Sequence, residues 1–309
     1  MHRYIKLEDN KFKKIDEWEP NTWINVVKPT PEEKDFLIKK IELPEAFYND
    51  VEDPEERPRL EIEDDWIFIV LRVPLKTYND DLPYYTVPLG LMLKGECFIT
   101  LSFFDVEMVD DFLLYTANKK IILNNFYEVI LRLFISSSVW FSKYLKQINR
   151  AITITEDRLG KSIENEQLEK LFNLEKSLIY FTTTLTDHSY LHRRLNSLRI
   201  FKENTDEELR EDVEIELMQA KNTTNIYYDI LRRMEDSYDS RISNNLNIVM
   251  KRLTSISIIL MIPTLVASFY GMNVPNFLEH NSFAFLGLSI LSFIIAFTAF
   301  VFFKKVDWF

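Results

Sequence analysis

Residues 253–273 read LTSISIILMIPTLVASFYGMN, and the rest of the chain can be placed from them. Leu253 to Tyr270 gives 18 residues without a charge, and Phe283 to Phe303 gives 21 more. At about 1.5 Å of rise per residue, either run is long enough to cross a hydrocarbon core of about 30 Å as a helix. The segment between them, Gly271 to Ser282, carries Pro275, Glu279 and His280 but no Lys or Arg. The pattern predicts a two-pass membrane hairpin with the tetrapeptide Tyr270-Gly271-Met272-Asn273 at its outer turn.

The flanking charges orient the hairpin. Lys251-Arg252 precede span one and Lys304-Lys305 follow span two, while residues 253–303 hold neither Lys nor Arg. By the positive-inside rule both ends face the cytoplasm, with Trp308 as an interfacial anchor. Met1 to Lys6 shows no apolar stretch of signal-peptide length. The expected location is therefore a cell (inner) membrane, multi-pass, with a cytoplasmic body. Cys97 is the single cysteine, so neither a disulfide framework nor a thiolate metal cluster is available. A net charge of -11 argues against a nucleic-acid partner and suits divalent cations. Mean hydropathy near zero, with 28% charged residues, fits a polar body joined to an apolar tail.

In chain order, residues 1–120 read as a cytoplasmic α/β domain with a mainly antiparallel sheet. Trp23 to Val27 is a strand, and Thr30-Pro31-Glu32-Glu33 is a capping box opening a helix to about Ile41. A short helix starts near Pro44. Leu60 to Ile62 and Trp66 to Leu71 pair around Asp64-Asp65, and Thr86 to Leu93 pairs with Cys97 to Ser102 around Lys94-Gly95. Asp105 is placed to cap a helix running to about Thr116. No phosphate loop, catalytic triad or ATP motif is visible, so no enzyme activity is expected.

Residues 121–204 carry apolar residues at three-to-four spacing and read as long antiparallel helices, turning near Gly160. Thr205-Asp206-Glu207-Glu208 is a second capping box, starting a stalk helix over 205–252. Its stripe runs Leu209, Val213, Leu217, Ala220, Thr224, Tyr227, Leu231, Met234, Tyr238. No Pro or Gly intervenes from 206 until Pro263, so stalk and span one should form one rod of roughly 65 residues, about 100 Å long. Such a rod is expected to bury its seam by self-association. His188 and His192, four apart, have zinc-compatible spacing but read as a solvated pair; Cys97 reads as core.

The same spacing continues into span one as Asn247, Met250, Leu253 or Thr254, Ser257, Met261, Thr264 and Ser268, between faces of Ile, Leu, Val and Phe. An uncharged stripe of small polar residues and Met suits an aqueous pore. Ser and Thr also gather where membrane helices pack closely, which leaves a helix–helix contact open. Span two is bulky and apolar almost all round, as an outer helix would be, and this asymmetry favours a pore lined by span one.

Tyr270-Gly271-Met272-Asn273 at the end of the first of two C-terminal spans resembles the signature of the CorA family of magnesium transporters, the two-transmembrane GxN proteins. The closing Lys304-Lys305-Val306-Asp307-Trp308 is similar too, as are Ser243 to Lys251 and the run from Asp50 through Arg57-Pro58-Arg59 to Trp66–Leu71. The resemblance implies a homopentameric channel with a funnel-shaped cytoplasmic domain. It implies pore positions at Asn247, Met250, Leu253, Ser257, Met261 and Thr264, and an outer ion-binding ring at Gly271 and Asn273. It also implies regulatory metal sites between subunits, at Asp50 and Asp236. The family's acidic outer loop is reduced here to Glu279, and the turn near Gly160 is only modestly acidic.

Mg²⁺ dehydrates reluctantly, so a ring of amide and carbonyl oxygens that accepts hydrogen bonds from its retained waters suits it. Met250, Leu253 and Met261 would make dry constrictions that close by dewetting. Uptake would be passive, driven by about 4.6 kcal/mol for a double charge at 100 mV. Co²⁺ and Ni²⁺ are expected as further cargo. The alternatives are a zinc (Zn²⁺) transporter of the same superfamily and a membrane-anchored coiled-coil sensor; the sensor gives the polar stripe no role.

Overall fold

The structure, a computed structural model, describes residues 2–8, 11–77, 81–159, 165–272, 283–306 and 308. By its internal contacts the chain divides into Met1–Arg232 and Arg233–Phe309.

In the first unit the apolar run beginning at Trp66 becomes strand β5 (Trp66–Lys76), buried without interruption from Trp66 to Pro74. A strand buried on both faces needs a layer of helix on each side, and the chain supplies both. Strands β1 (His2–Glu8), β2 (Lys11–Ile15), β3 (Thr22–Val27), β4 (Arg59–Glu63), β6 (Tyr84–Lys94) and β7 (Cys97–Ser102) complete a seven-stranded sheet. Its order is β2-β1-β3-β7-β6-β5-β4, antiparallel throughout except for the parallel pair β3–β7. Across that pair, Trp23 Nε1 donates to Thr100 Oγ1 at 2.8 Å, and Thr100 Oγ1 donates to Asn25 Oδ1 at 2.9 Å. These buried polar groups therefore find partners and fix the one parallel register.

Thr30 forms the expected capping box: its Oγ1 accepts from the Glu33 N–H and Glu33 Oε2 accepts from the Thr30 N–H. Helix α1 (Pro31–Asp35) then widens into a π-helical stretch, Phe36–Lys40, before α2 (Glu45–Glu52). Leu37, Leu43, Phe47, Tyr48 and Val51 pack on Ile24, Trp66, Phe68, Val70, Met92 and Ile99 of one sheet face. The other face is covered by α4 (Phe126–Leu159) on β5 and α5 (Asn165–Ser197) on β6. Phe98 stacks there on Phe126, with ring centroids 5.4 Å apart.

Two sequence expectations change. Helix α3 (Glu107–Lys119) begins one residue later than expected, after Val106, and Asp105 pairs with Lys28 instead of capping it. The turn near Gly160 lies outside the described residues. The second change concerns the stalk. After α6 (Arg199–Asn204), α7 runs Glu207–Tyr270 as one helix of 64 residues with Pro263 inside it. Its stripe is not left over for another subunit. Leu209, Val213, Leu217, Ala220, Thr224, Leu231, Met234 and Tyr238 are all buried within the single chain. Thr182 Oγ1 of α5 donates to Asn225 Oδ1 of α7 at 3.5 Å, so α5 is one neighbour of the seam. Over residues 207–240 of α7 the large apolar residues left exposed are Ile215, Met218, Ile226 and Ile230, on a different face.

In the second unit α7 continues to Tyr270 and α8 spans Ala284–Lys305. Both helices are long and apolar enough to cross a membrane, and little of either apolar stretch is buried within the protein.

Candidate functional site

Span one has two distinguishable sides. Its residues short of full exposure are Ser255, Ile259, Ile262, Pro263, Val266 and Tyr270, which recur three or four apart. This is the period of one helical face. Ser255 is fully buried, and nearby Ile258 shares a shallow cleft with Ile295, Thr298, Ala299, Phe302 and Phe303 of α8. The side towards α8 is thus the aliphatic one. Asn247, Met250, Leu253, Ser257, Met261 and Thr264 are all exposed. At 100° per residue they fall within about a third of the helix circumference, centred well away from Ser255. Contact with α8 therefore does not explain the stripe.

The polar residues of this face carry their own hydrogen-bond partners. Ser257 Oγ donates to the Leu253 carbonyl at 2.9 Å, and Thr264 Oγ1 to the Leu260 carbonyl at 3.1 Å. Each hydroxyl proton is satisfied along the helix, while oxygen lone pairs remain to face water or a hydrated ion. At the C-terminal end of the helix the Gly271 N–H bonds the Ala267 carbonyl at 2.9 Å. A Cβ on Gly271 would come 3.3 Å from that oxygen, so a side chain fits only if the backbone gives. Tyr270 is half-buried, and Gly271 and Met272 are exposed. Asn273 and the loop to Ser282, including Glu279, lie outside the described residues.

Asp50, on α2, is not a free carboxylate. Arg59 Nη2 lies 2.6 Å from Asp50 Oδ2, Arg59 Nε lies 2.9 Å from Glu61 Oε1, and Arg59 Nη1 pairs with Glu56. Burial holds the Asp50 carboxyl above its ordinary value, against the pull of Arg59. The loop presenting Glu56 is pinned by buried Arg72, whose Nη1 donates to the Pro54 carbonyl at 2.9 Å and the Glu56 carbonyl at 2.7 Å. Sequence reasoning missed Arg59 and Arg72 as organisers, although Arg59 stood in the quoted Arg57-Pro58-Arg59 run. Asp236 lies on an exposed position of α7, its backbone carbonyl accepting from Ser240 Oγ at 2.9 Å. Asp50 and Asp236 fall in different units. Among the described residues no group of three or more His, Cys, Asp or Glu is arranged to hold a metal ion.

His188 and His192 are not a solvated pair: both are buried. His188 packs against Phe134 and Phe141 and accepts the Arg72 N–H, and His192 Nε2 lies 3.2 Å from Asn196 Nδ2. They are structural groups of the α4–α5 layer. Cys97 is half-buried, and burial pushes its thiol up to about 11.

Residues 18–305 match the protein-family model described as CorA-like Mg2+ transporter protein. The cobalt/magnesium transport protein CorA of Methanocaldococcus jannaschii is 26% identical over 293 residues, covering 93% of this chain and 90% of that protein. The protein of the same name from Thermotoga maritima is 26% identical over 302 residues, covering 93% and 83%. The complete structure of the CorA magnesium transporter from M. jannaschii superposes with a TM-score of 0.88 at 22% identity, over 100% of this chain and 99% of that one. The ZntB cytoplasmic domain from Vibrio parahaemolyticus superposes with a TM-score of 0.62 at 12% identity, over 78% of this chain and 98% of that domain.

Proposed function

The chain belongs to the CorA-like Mg2+ transporter family, and from that premise we propose that it is a homopentameric channel for passive Mg²⁺ uptake, closed by cytoplasmic Mg²⁺. In this proposal residues 1–204 form the cytoplasmic body, 205–252 the stalk and 253–309 the membrane hairpin, with both termini cytoplasmic in a cell membrane. The observation that carries it is the division of span one. The Ile-rich side faces α8, while the uncharged stripe Asn247, Met250, Leu253, Ser257, Met261, Thr264 is exposed away from it, which supports a place on a central axis.

Five such stripes around an axis would make a narrow conduit without fixed charge. Hydroxyl lone pairs and the Asn247 amide would accept from the waters that Mg²⁺ retains. Met250, Leu253 and Met261 would dewet when brought together. Gly271 and Asn273 would form the outer ring that selects a hydrated dication. On the cytoplasmic side, Asp50 of one subunit and Asp236 of a neighbour would share a regulatory Mg²⁺. Their mutual repulsion without it would loosen the closed arrangement. The exposed apolar residues Ile215, Met218, Ile226 and Ile230 supply surface for the stalk's contacts with neighbours.

The test is ion flux into proteoliposomes under an imposed potential, comparing Mg²⁺, Co²⁺, Ni²⁺ and Zn²⁺. Asn273→Ala should abolish Mg²⁺ entry while leaving the oligomer intact on size-exclusion chromatography. Wild-type uptake in that variant would remove the role given to Asn273. The fold likeness to the ZntB domain keeps a zinc transporter as the second reading. Zn²⁺ entering faster than Mg²⁺ at equal potential would favour it.

A further inference from the structure

We propose that Arg59 is a tethered competitor for the Asp50 carboxylate, and that its charge sets the Mg²⁺ concentration at which the cytoplasmic site fills. The inference rests on the regulatory role given to Asp50 above and adds the residue that tunes it. Three carboxylates converge on one guanidinium: Asp50 from α2, Glu56 from the following loop and Glu61 from β4. Their sum with Arg59 is a local charge of -2.

The guanidinium does not wander into this place. Its carbon lies 5.6 Å from the Phe68 ring centroid, and Phe68 is fully buried and stacked on Phe47 at 4.3 Å. Phe47 belongs to the same helix as Asp50, so the platform under Arg59 and the acid beside it are one rigid piece. Arg72 holds the Glu56 loop from below through two backbone carbonyls. The side chains of Asp50 and Arg59 retain 32% and 28% of their exposure, so an ion can still reach the carboxylate from the solvent side.

A dication approaching Asp50 meets an oxygen already engaged at 2.6 Å by a permanent cation. It must displace that bond or bind beside a positive charge a few ångströms away. Either course weakens Mg²⁺ binding. Removing one positive charge about 5 Å from a dication, in a solvent-screened setting, is worth roughly a tenfold change in affinity. Arg59 would thereby keep the site empty at low Mg²⁺ and let it fill only when the ion is plentiful.

The full chain in detergent or nanodiscs, titrated with Mg²⁺, gives two readouts. One is the midpoint of Mg²⁺-dependent thermal stabilisation, and the other is the midpoint of flux closure in liposomes. Arg59→Gln should lower both midpoints about tenfold. Arg59→Lys keeps the charge but loses the fork that reaches three acids, so it should lower them two- to threefold. A gain in Mg²⁺ sensitivity cannot come from misfolding. Unchanged or raised midpoints in Arg59→Gln, alongside a raised midpoint in Asp50→Asn, would overturn the competitor role and leave the Asp50 site standing. If Asp50→Asn itself leaves both midpoints unmoved, the regulatory site fails and the proposal with it. Should Arg59→Gln fold poorly, Arg59→Lys decides alone: a midpoint equal to wild type rejects the competitor.

Discussion

His188 Nε2 accepts the backbone N–H of Arg72 at 3.1 Å, tying the middle of α5 to β5. A ring nitrogen can accept only while it is unprotonated, and burial holds the His188 pKa down at about 3, with the Arg72 charge adding to the effect. His192, near Glu214 and Arg210, is lowered by burial to about 4.

The first prediction follows from the sign of that shift. The unfolded chain protonates these rings near the ordinary histidine value, before the folded one does. Their stabilisation is therefore complete above pH 6.5 and is lost as pH falls towards 3. At pH 5 each histidine should cost on the order of 2 kcal/mol relative to pH 7. Chemical denaturation at the two pH values checks this. His188→Gln can still accept the Arg72 N–H, and it should be less stable at pH 7 yet show a shallower fall to pH 5. An equally steep fall would remove His188 from the account.

Gly90 carries the second. It lies on β6 opposite Val70 and Leu101, and a Cβ there would stand 2.5 Å from Val51 Cγ2 and 2.8 Å from Met92 Cε. Only glycine lets α2 lie so close on the sheet. Gly90→Ala should destabilise the protein by about 1–3 kcal/mol through overpacking. In a Val51→Ala background the penalty should shrink, because the two changes share one volume. Strict additivity of the melting shifts would argue against the clash.

The β4–β5 hairpin carries the third. Asp64 and Asp65 form its two-residue turn, with φ of 49° and 66°, and Glu63 faces Trp66 across it. Left-handed backbone at both turn positions favours glycine at the second. Asp65→Gly should raise stability by up to about 1 kcal/mol. A lower melting temperature would show that the aspartate side chain does something the backbone angles do not reveal.

The parts of this fold legible in the sequence are those where a local signal and the tertiary outcome agree. The Thr30 capping box, the Asp64-Asp65 turn and the uninterrupted helix through 207–270 belong there. Strands β1 and β2 are not legible, β1 because its alternation is short and β2 because its alternation is broken by Lys11, Lys13 and Lys14. Those lysines are what an edge strand such as β2 uses to resist pairing with another chain. The Leu209–Tyr238 stripe was legible as a seam but not as to its partner, since periodicity records that a face is buried and not by what. The histidines failed for a similar reason: spacing of four says nothing about burial, which comes from Phe134 and Phe141 on another helix. For the candidate site, the stripe in span one was visible in the residues alone. Arg59 was not, because its meaning comes from Glu56, Asp50 and Glu61 being folded around it.

The last prediction concerns the polar stripe of span one. If the stripe lines a conduit, cysteines placed on it should react with a membrane-impermeant thiol reagent, and cysteines facing α8 should not. The background is favourable: Cys97 is the only native thiol, and its raised pKa keeps it protonated and slow at neutral pH. Ser257→Cys, Met261→Cys and Thr264→Cys should label at least about tenfold faster than Ser255→Cys and Ile259→Cys, a contrast set by ionised thiolate in water against thiol in an apolar seam. Chelating Mg²⁺ on the cytoplasmic side should speed labelling on the stripe and leave the α8 side unchanged, because only the stripe would gain water on opening. Equal rates at Ser255→Cys and Ser257→Cys would mean that the polar stripe is a packing surface, and the conduit would have to be sought elsewhere in the assembly.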